Sequence, residues 1–132
     1  MTSVVLVWPN ARQEAGELPV PDGRLVVADW DPASEDGGRR ALLTSVRDAR
    51  ELSASLGEDP DALVIVGFGS GAVAAAGLTR YARRLSIGLG RVLCVAPTWD
   101  EPDPFSGIPL GEVPEGVELV PDAASAAALL TA

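Results

Sequence analysis

Histidine and lysine are both absent from this chain, and cysteine occurs once in 132 residues. Without histidine the chain lacks the side chain that usually activates a serine near neutral pH. A Ser-His-Asp mechanism is therefore excluded within this polypeptide. The lone cysteine, Cys94, rules out an internal disulfide and a cysteine-built zinc site. Its place in an apolar strand reads as a small buried hydrophobe rather than a reactive thiol. With no lysine, arginine is the only cation, and the net charge is −9. An acidic surface repels phosphates, so neither nucleic acid nor an anionic membrane is expected as a partner. The first apolar run, after Met1-Thr2-Ser3, is too short for a signal core or a membrane span, and a cytoplasmic location is expected. The length suits one domain, residues 1–132.

What is present is organised around residues 61–78. Leu63-Val64-Ile65-Val66 suits a strand buried on both faces, as parallel sheets require. Gly67, Gly69 and Gly71 follow at alternate positions, allowing positive φ and close backbone approach. An Ala-rich helix then runs to about Ser86, its small side chains letting it lie tightly on the sheet.

The remaining elements fall in order around it. Val4 to Trp8 is a buried strand ended by Pro9-Asn10, and residues 10–17 accommodate one or two helical turns. Leu25 to Trp30 is a second strand, closed by Asp31-Pro32. Apolar residues at Leu42, Val46, Ala49, Leu52 and Leu56 predict a helix over about 39–56, with Gly57 as its stop. Arg91 to Ala96 is another strand, residues 97–114 a long Pro/Gly/acid loop, and Val117 to Val120 a short edge strand. Asp122 caps a terminal helix through Leu130. Strands alternating with helices predict an α/β fold: a three-layer sandwich with a mostly parallel five-stranded sheet, order 2-1-3-4-5. The switch point then lies between strands 1 and 3, where Trp8-Pro9-Asn10 faces Gly67 to Gly71.

Strand-Gly67-Phe68-Gly69-Ser70-Gly71-Ala72-helix resembles the Gly-x-Ser-x-Gly nucleophile elbow of the α/β-hydrolases. Taken with Val95-Ala96-Pro97 and the loop beyond, it is most similar to the cutinase-like branch, which includes mycobacterial PE-PPE domains and mycobacteriophage mycolyl esterases. The resemblance covers roughly residues 3 to 110 and implies a truncated α/β-hydrolase-like fold. It puts glycine, Gly69, at the nucleophile's position, and the chain stops short of where the family's acid and His normally come.

Several side chains near this turn are candidates for chemistry. Ser70, one residue past the apex, reads as an N-cap or first-turn hydroxyl; as a nucleophile it would need a base such as Asp29, Asp31 or Asp100. The backbone N–H groups of Asn10 and Ser70 are expected to form the remnant of an oxyanion hole, able to hold a carboxylate or phosphate. Gly67-x-Gly69-x-x-Ala72 also fits the dinucleotide fingerprint, although two strands precede it and no acid occurs between Gly71 and Trp99. Asp29, Asp31, Asp100, Glu101 and Asp103 read as solvated loop acids rather than ligands for a divalent cation, so no metal and no cofactor are expected. Trp8 and Trp30 are expected to wall the switch-point crevice, and Trp99 and Phe105 to cover its mouth or face a partner.

Together these features predict a non-catalytic α/β-hydrolase-like module that binds a protein partner or forms a homo-oligomer. The resemblance to a branch of actinobacteria and their phages extends this to a cellular or virion assembly. The alternatives are a serine esterase working through Ser70 or completed by a partner chain, and a nucleotide-binding module at Gly67 to Gly71.

Overall fold

The computed structural model describes residues 4–10, 18–85 and 89–131. Five strands, β1 (Val5–Trp8), β2 (Leu25–Val27), β3 (Val64–Phe68), β4 (Arg91–Val95) and β5 (Val117–Val120), form one sheet of order β2-β1-β3-β4-β5. Every pairing is parallel, with Val7 opposite Val27 and Val66, and Val66 opposite Leu93. Among the described residues there are three α-helices, α1 (Arg39–Ser55), α2 (Ser70–Leu85) and α3 (Ala123–Thr131).

Alternation along the buried strands assigns side chains to two cores. Leu6, Trp8, Ile65, Val92 and Cys94 point to the face covered by α1 and α2, where they meet Leu42, Val46, Ala49 and the small residues Ala72 to Ala76. Val5, Val7, Val64, Val66, Leu93 and Val95 point to the other face, against Ala126 and Leu130 of α3. The result is a three-layer α/β sandwich with an all-parallel sheet. Both faces are covered, which is why β1, β3 and β4 read as continuous apolar runs rather than alternating ones.

The local sequence explains most element ends. Asp36 begins α1 by accepting the Gly38 N–H at 3.0 Å and the Arg40 N–H at 2.9 Å. Gly57, at φ +74°, ends it, with the Glu58 N–H returning to the Ser53 carbonyl at 2.9 Å. Asp122 accepts the Ser125 N–H at 2.8 Å at the start of α3.

One strand is shorter than expected, and two short turns are added. β2 stops at Val27 because the chain peels away after one more bond, Ala28 N–H to the Val7 carbonyl at 3.0 Å. Short 3₁₀ turns occur at Asp22–Arg24 and Pro60–Ala62, the second opened by Asp59 accepting the Asp61 N–H at 2.9 Å. The helical turns expected after Asn10 lie outside the described residues.

Candidate functional site

The chain leaves β3 and enters α2 through a corner that only small residues permit. A Cβ on Gly67 would run into the α2 backbone at Gly71 and Ala72, and one on Gly71 into the Trp8 carbonyl. Gly69 sits at φ +57°, with its N–H bonded to the Val95 carbonyl of β4 at 3.0 Å. Its own carbonyl accepts from Ala72 N at 3.1 Å and Val73 N at 3.3 Å, so Gly69 occupies the cap position. Of the two places expected for the Ser70 hydroxyl, N-cap or first turn, Ser70 holds the second, as the first residue of α2. The Ser70 hydroxyl reaches across the switch point and donates to Asn10 Oδ1 at 2.9 Å.

Asn10 is close to Gly69 as well. A Cβ built on Gly69 would lie 3.1 Å from Asn10 Cγ and 3.2 Å from its Cβ. The asparagine side chain therefore borders the space into which a side chain at position 69 would project. In front of Asn10 and Ser70 opens a cavity of about 740 Å³, also lined by Trp30, Glu101 and Asp103. Glu35 and Asp36 contribute two further carboxyls to its wall. The backbone N–H of Arg40, that of Gly38 and the Ser34 hydroxyl hold the Asp36 carboxyl below its ordinary range. Asp103 behaves oppositely. Burial pushes its carboxyl up, against the opposing effects of the Phe105 and Ser106 hydrogen bonds and the Arg80 charge.

No protein-family model matches the chain, and no curated protein matches it.

Among the described residues, no hydrogen bond or ion pair brings Asp100 to Ser70. Asp100 is exposed in the turn where Glu101 N bonds the Thr98 carbonyl at 3.0 Å, and it does not line the cavity. Phe68 ends β3 buried among the residues facing α3. Trp30 does line the cavity and is fixed by its indole N–H, which donates to the Pro9 carbonyl at 3.0 Å.

Trp8 is corrected. It is fully buried in the core beneath α1, where its indole N–H donates to Ser45 Oγ at 2.9 Å, so it walls no crevice. Phe105 does not stand at the mouth either. Half-buried, it stacks on Trp8 with ring centroids 6.1 Å apart and on Tyr81 at 5.4 Å, so it pins its loop to the core. Trp99 also packs against that core, half-buried.

Among the described residues, no three His, Cys, Asp or Glu side chains are grouped to hold a metal ion, and no helix is long and apolar enough to cross a membrane. Cys94 is buried, its thiol pushed up to about 12 by desolvation and donating to the Ala72 carbonyl at 3.3 Å. Asp103, expected with the solvated loop acids, is instead the one acid buried among the described residues, at 2% exposure. No local signal marks it, because its burial comes from a helix glycine twenty-six residues earlier in the chain, Gly77.

Proposed function

We propose that this chain is a non-catalytic α/β-hydrolase-like module that acts by binding protein rather than by turning over a substrate. Gly69 is the observation that carries the reading. The corner keeps the positive φ and the helix start of a nucleophile elbow, while its apex has no side chain to attack with. The only hydroxyl beside it, Ser70, donates to the Asn10 amide oxygen, a group that does not take up a proton near neutral pH. With histidine missing from the sequence, two of the three parts of a serine-hydrolase triad are lacking. The loss of even one costs about 10⁴-fold or more in rate.

One observation favours the rival reading, hydrolysis through Ser70. The same cavity holds Asp103, whose burial raises its pKa in the direction a general base requires. Against it, Oδ1 of Asp103 accepts the Phe105 N–H at 3.1 Å, and no hydrogen bond joins Asp103 to Ser70 among the described residues. Nucleotide binding at Gly67 to Gly71 is disfavoured by the four carboxylates that line the cavity, which repel a polyphosphate.

Incubating the purified chain with p-nitrophenyl butyrate separates these readings. The expected result is release of nitrophenol at the buffer rate. Turnover that disappears in Ser70→Ala would establish the esterase and remove the proposal.

A further inference from the structure

Resting on the reading of this chain as an interaction module, we propose that the groove between α1 and α2 receives a second copy of the chain, head to tail, through that copy's acidic stretch 108–119. The groove is a cavity of about 500 Å³ with an apolar floor and walls of Val46, Leu78, Leu43, Tyr81 and Leu89. Arg47 and Arg50 line its rim together with one acid, Glu51. Arg39 extends the cationic rim, its guanidinium lying 5.5 Å from the centre of the Tyr81 ring. Arg50 is engaged with Asp61 at 2.8 Å, whereas the Arg47 side chain is 68% exposed and lies 3.7 Å from Asp48, itself 51% exposed. Such a surface pair contributes little, which leaves Arg47 open to a partner.

Charge is distributed to match. α1 carries four Arg against one Asp and one Glu, and α2 three Arg with no acid. Seven of the ten cations thus sit on these two helices in a chain of net charge −9. Beyond Arg91 there is no basic residue to the end of the sequence. That cation-free portion also holds three of the large apolar side chains left in water: Ile108 at 64%, Val113 at 45% and Leu119 at 54% exposure. Glu112 and Glu115 lie among them, both exposed.

An acidic, apolar stretch and a cationic, apolar groove are complementary in both respects, and within one chain they approach each other at Leu89, which borders both the groove and Glu115, without the stretch entering the groove. No residue of 108–119 lines the groove. β5, which holds Leu119, is the sheet edge opposite β2, where α1 packs. Pairing between unlike surfaces is heterologous, so successive copies add in one direction rather than closing as a two-fold dimer.

Two exposed double variants test this by sedimentation velocity. Arg47→Glu with Ala54→Glu, both at residues lining the groove, spoils it; Val113→Arg with Leu119→Arg spoils the stretch. Wild type is expected to show a mass that rises with concentration through several multiples of the monomer. Each double variant alone stays monomeric, with self-affinity weakened more than about tenfold and circular dichroism unchanged. An equimolar mixture of the two stops at a dimer, because each retains one intact surface. A wild-type monomer at all concentrations overturns the proposal. So does association that ignores both variants, or a fixed dimer that mixing does not restore; these last two outcomes assign the contact to another face. Absence of self-association together with absence of esterase turnover removes this proposal alone. Turnover dependent on Ser70 removes the functional reading instead.

Discussion

The carboxylate of Asp103 rests on the backbone of α2 at Gly77, so closely that a Cβ at that glycine would overlap it. Three bonds fix the aspartate there. Its Oδ1 accepts the Phe105 N–H at 3.1 Å, its N–H donates to the Ile108 carbonyl at 3.0 Å, and its carbonyl accepts the Gly107 N–H at 2.7 Å. One residue thereby clamps the long loop between β4 and β5 onto α2.

Gly77→Ala sets two effects of known size against each other. Alanine is the better helix former by about 1 kcal/mol, whereas forcing a methyl group into a filled site costs about 1–3 kcal/mol. The overlap is with a carboxylate held by its loop, so the steric cost is expected to win. Urea denaturation should show a lower midpoint than wild type. A higher midpoint would mean the loop yields freely.

Asp103 also gives the protein a definite pH dependence. Burial raises its pKa above the unfolded value, so the native state holds the proton more tightly than the unfolded chain. Its stabilising contribution is complete below the ordinary carboxylate range and is lost as pH rises through the raised native value. In Asp103→Asn the amide oxygen still accepts from Phe105, but nothing titrates. The stability of the variant relative to wild type is therefore expected to increase between about pH 3.5 and 7. Asp36, Glu118 and Asp122, held below their ordinary values by hydrogen bonds, act in the opposite direction in both proteins and cancel in the difference. A difference that is flat with pH would contradict the burial.

Gly69→Ala asks for a side chain at φ +57°, with Asn10 carbons waiting 3.1 and 3.2 Å from the new Cβ. The left-handed conformation alone costs about 1–2 kcal/mol, and a drop in melting temperature is expected. Gly69→Ser should be destabilised similarly while still failing to hydrolyse esters, because the introduced hydroxyl has no imidazole to take its proton. Hydrolysis by that variant would mean another group in the cavity supplies the base.

Cys94 should be silent in the folded protein. With its thiol pushed up to about 12 and its side chain inside the core, almost no thiolate is present or reachable near neutral pH. Ellman's reagent is expected to release colour only after unfolding in urea, one equivalent per chain. Rapid reaction of native protein would place the sulfur at the surface.

The strands and the sheet order were legible because a parallel sheet buried on both faces leaves an unmistakable mark, as Leu63 to Val66 and Arg91 to Val95 do. The ends of α1 and α3 were legible for a local reason: Gly57 and Asp122 act on their own neighbours. What was hidden depends on tertiary contact. Trp8 looks like a strand-end residue facing a crevice until α1 brings Ser45 to its indole N–H. Phe105 and Asp103 look like solvated loop residues until Tyr81 and Gly77 of α2 receive them. The Asn10–Ser70 bond spans sixty residues and follows only from β1 and β3 being neighbours.

The most direct test of the silent corner is intact-mass measurement of the purified chain after exposure to a fluorophosphonate, which marks any serine hydroxyl that a base has activated. An unchanged mass is predicted. A full equivalent of adduct on Ser70, absent from Ser70→Ala, would contradict it.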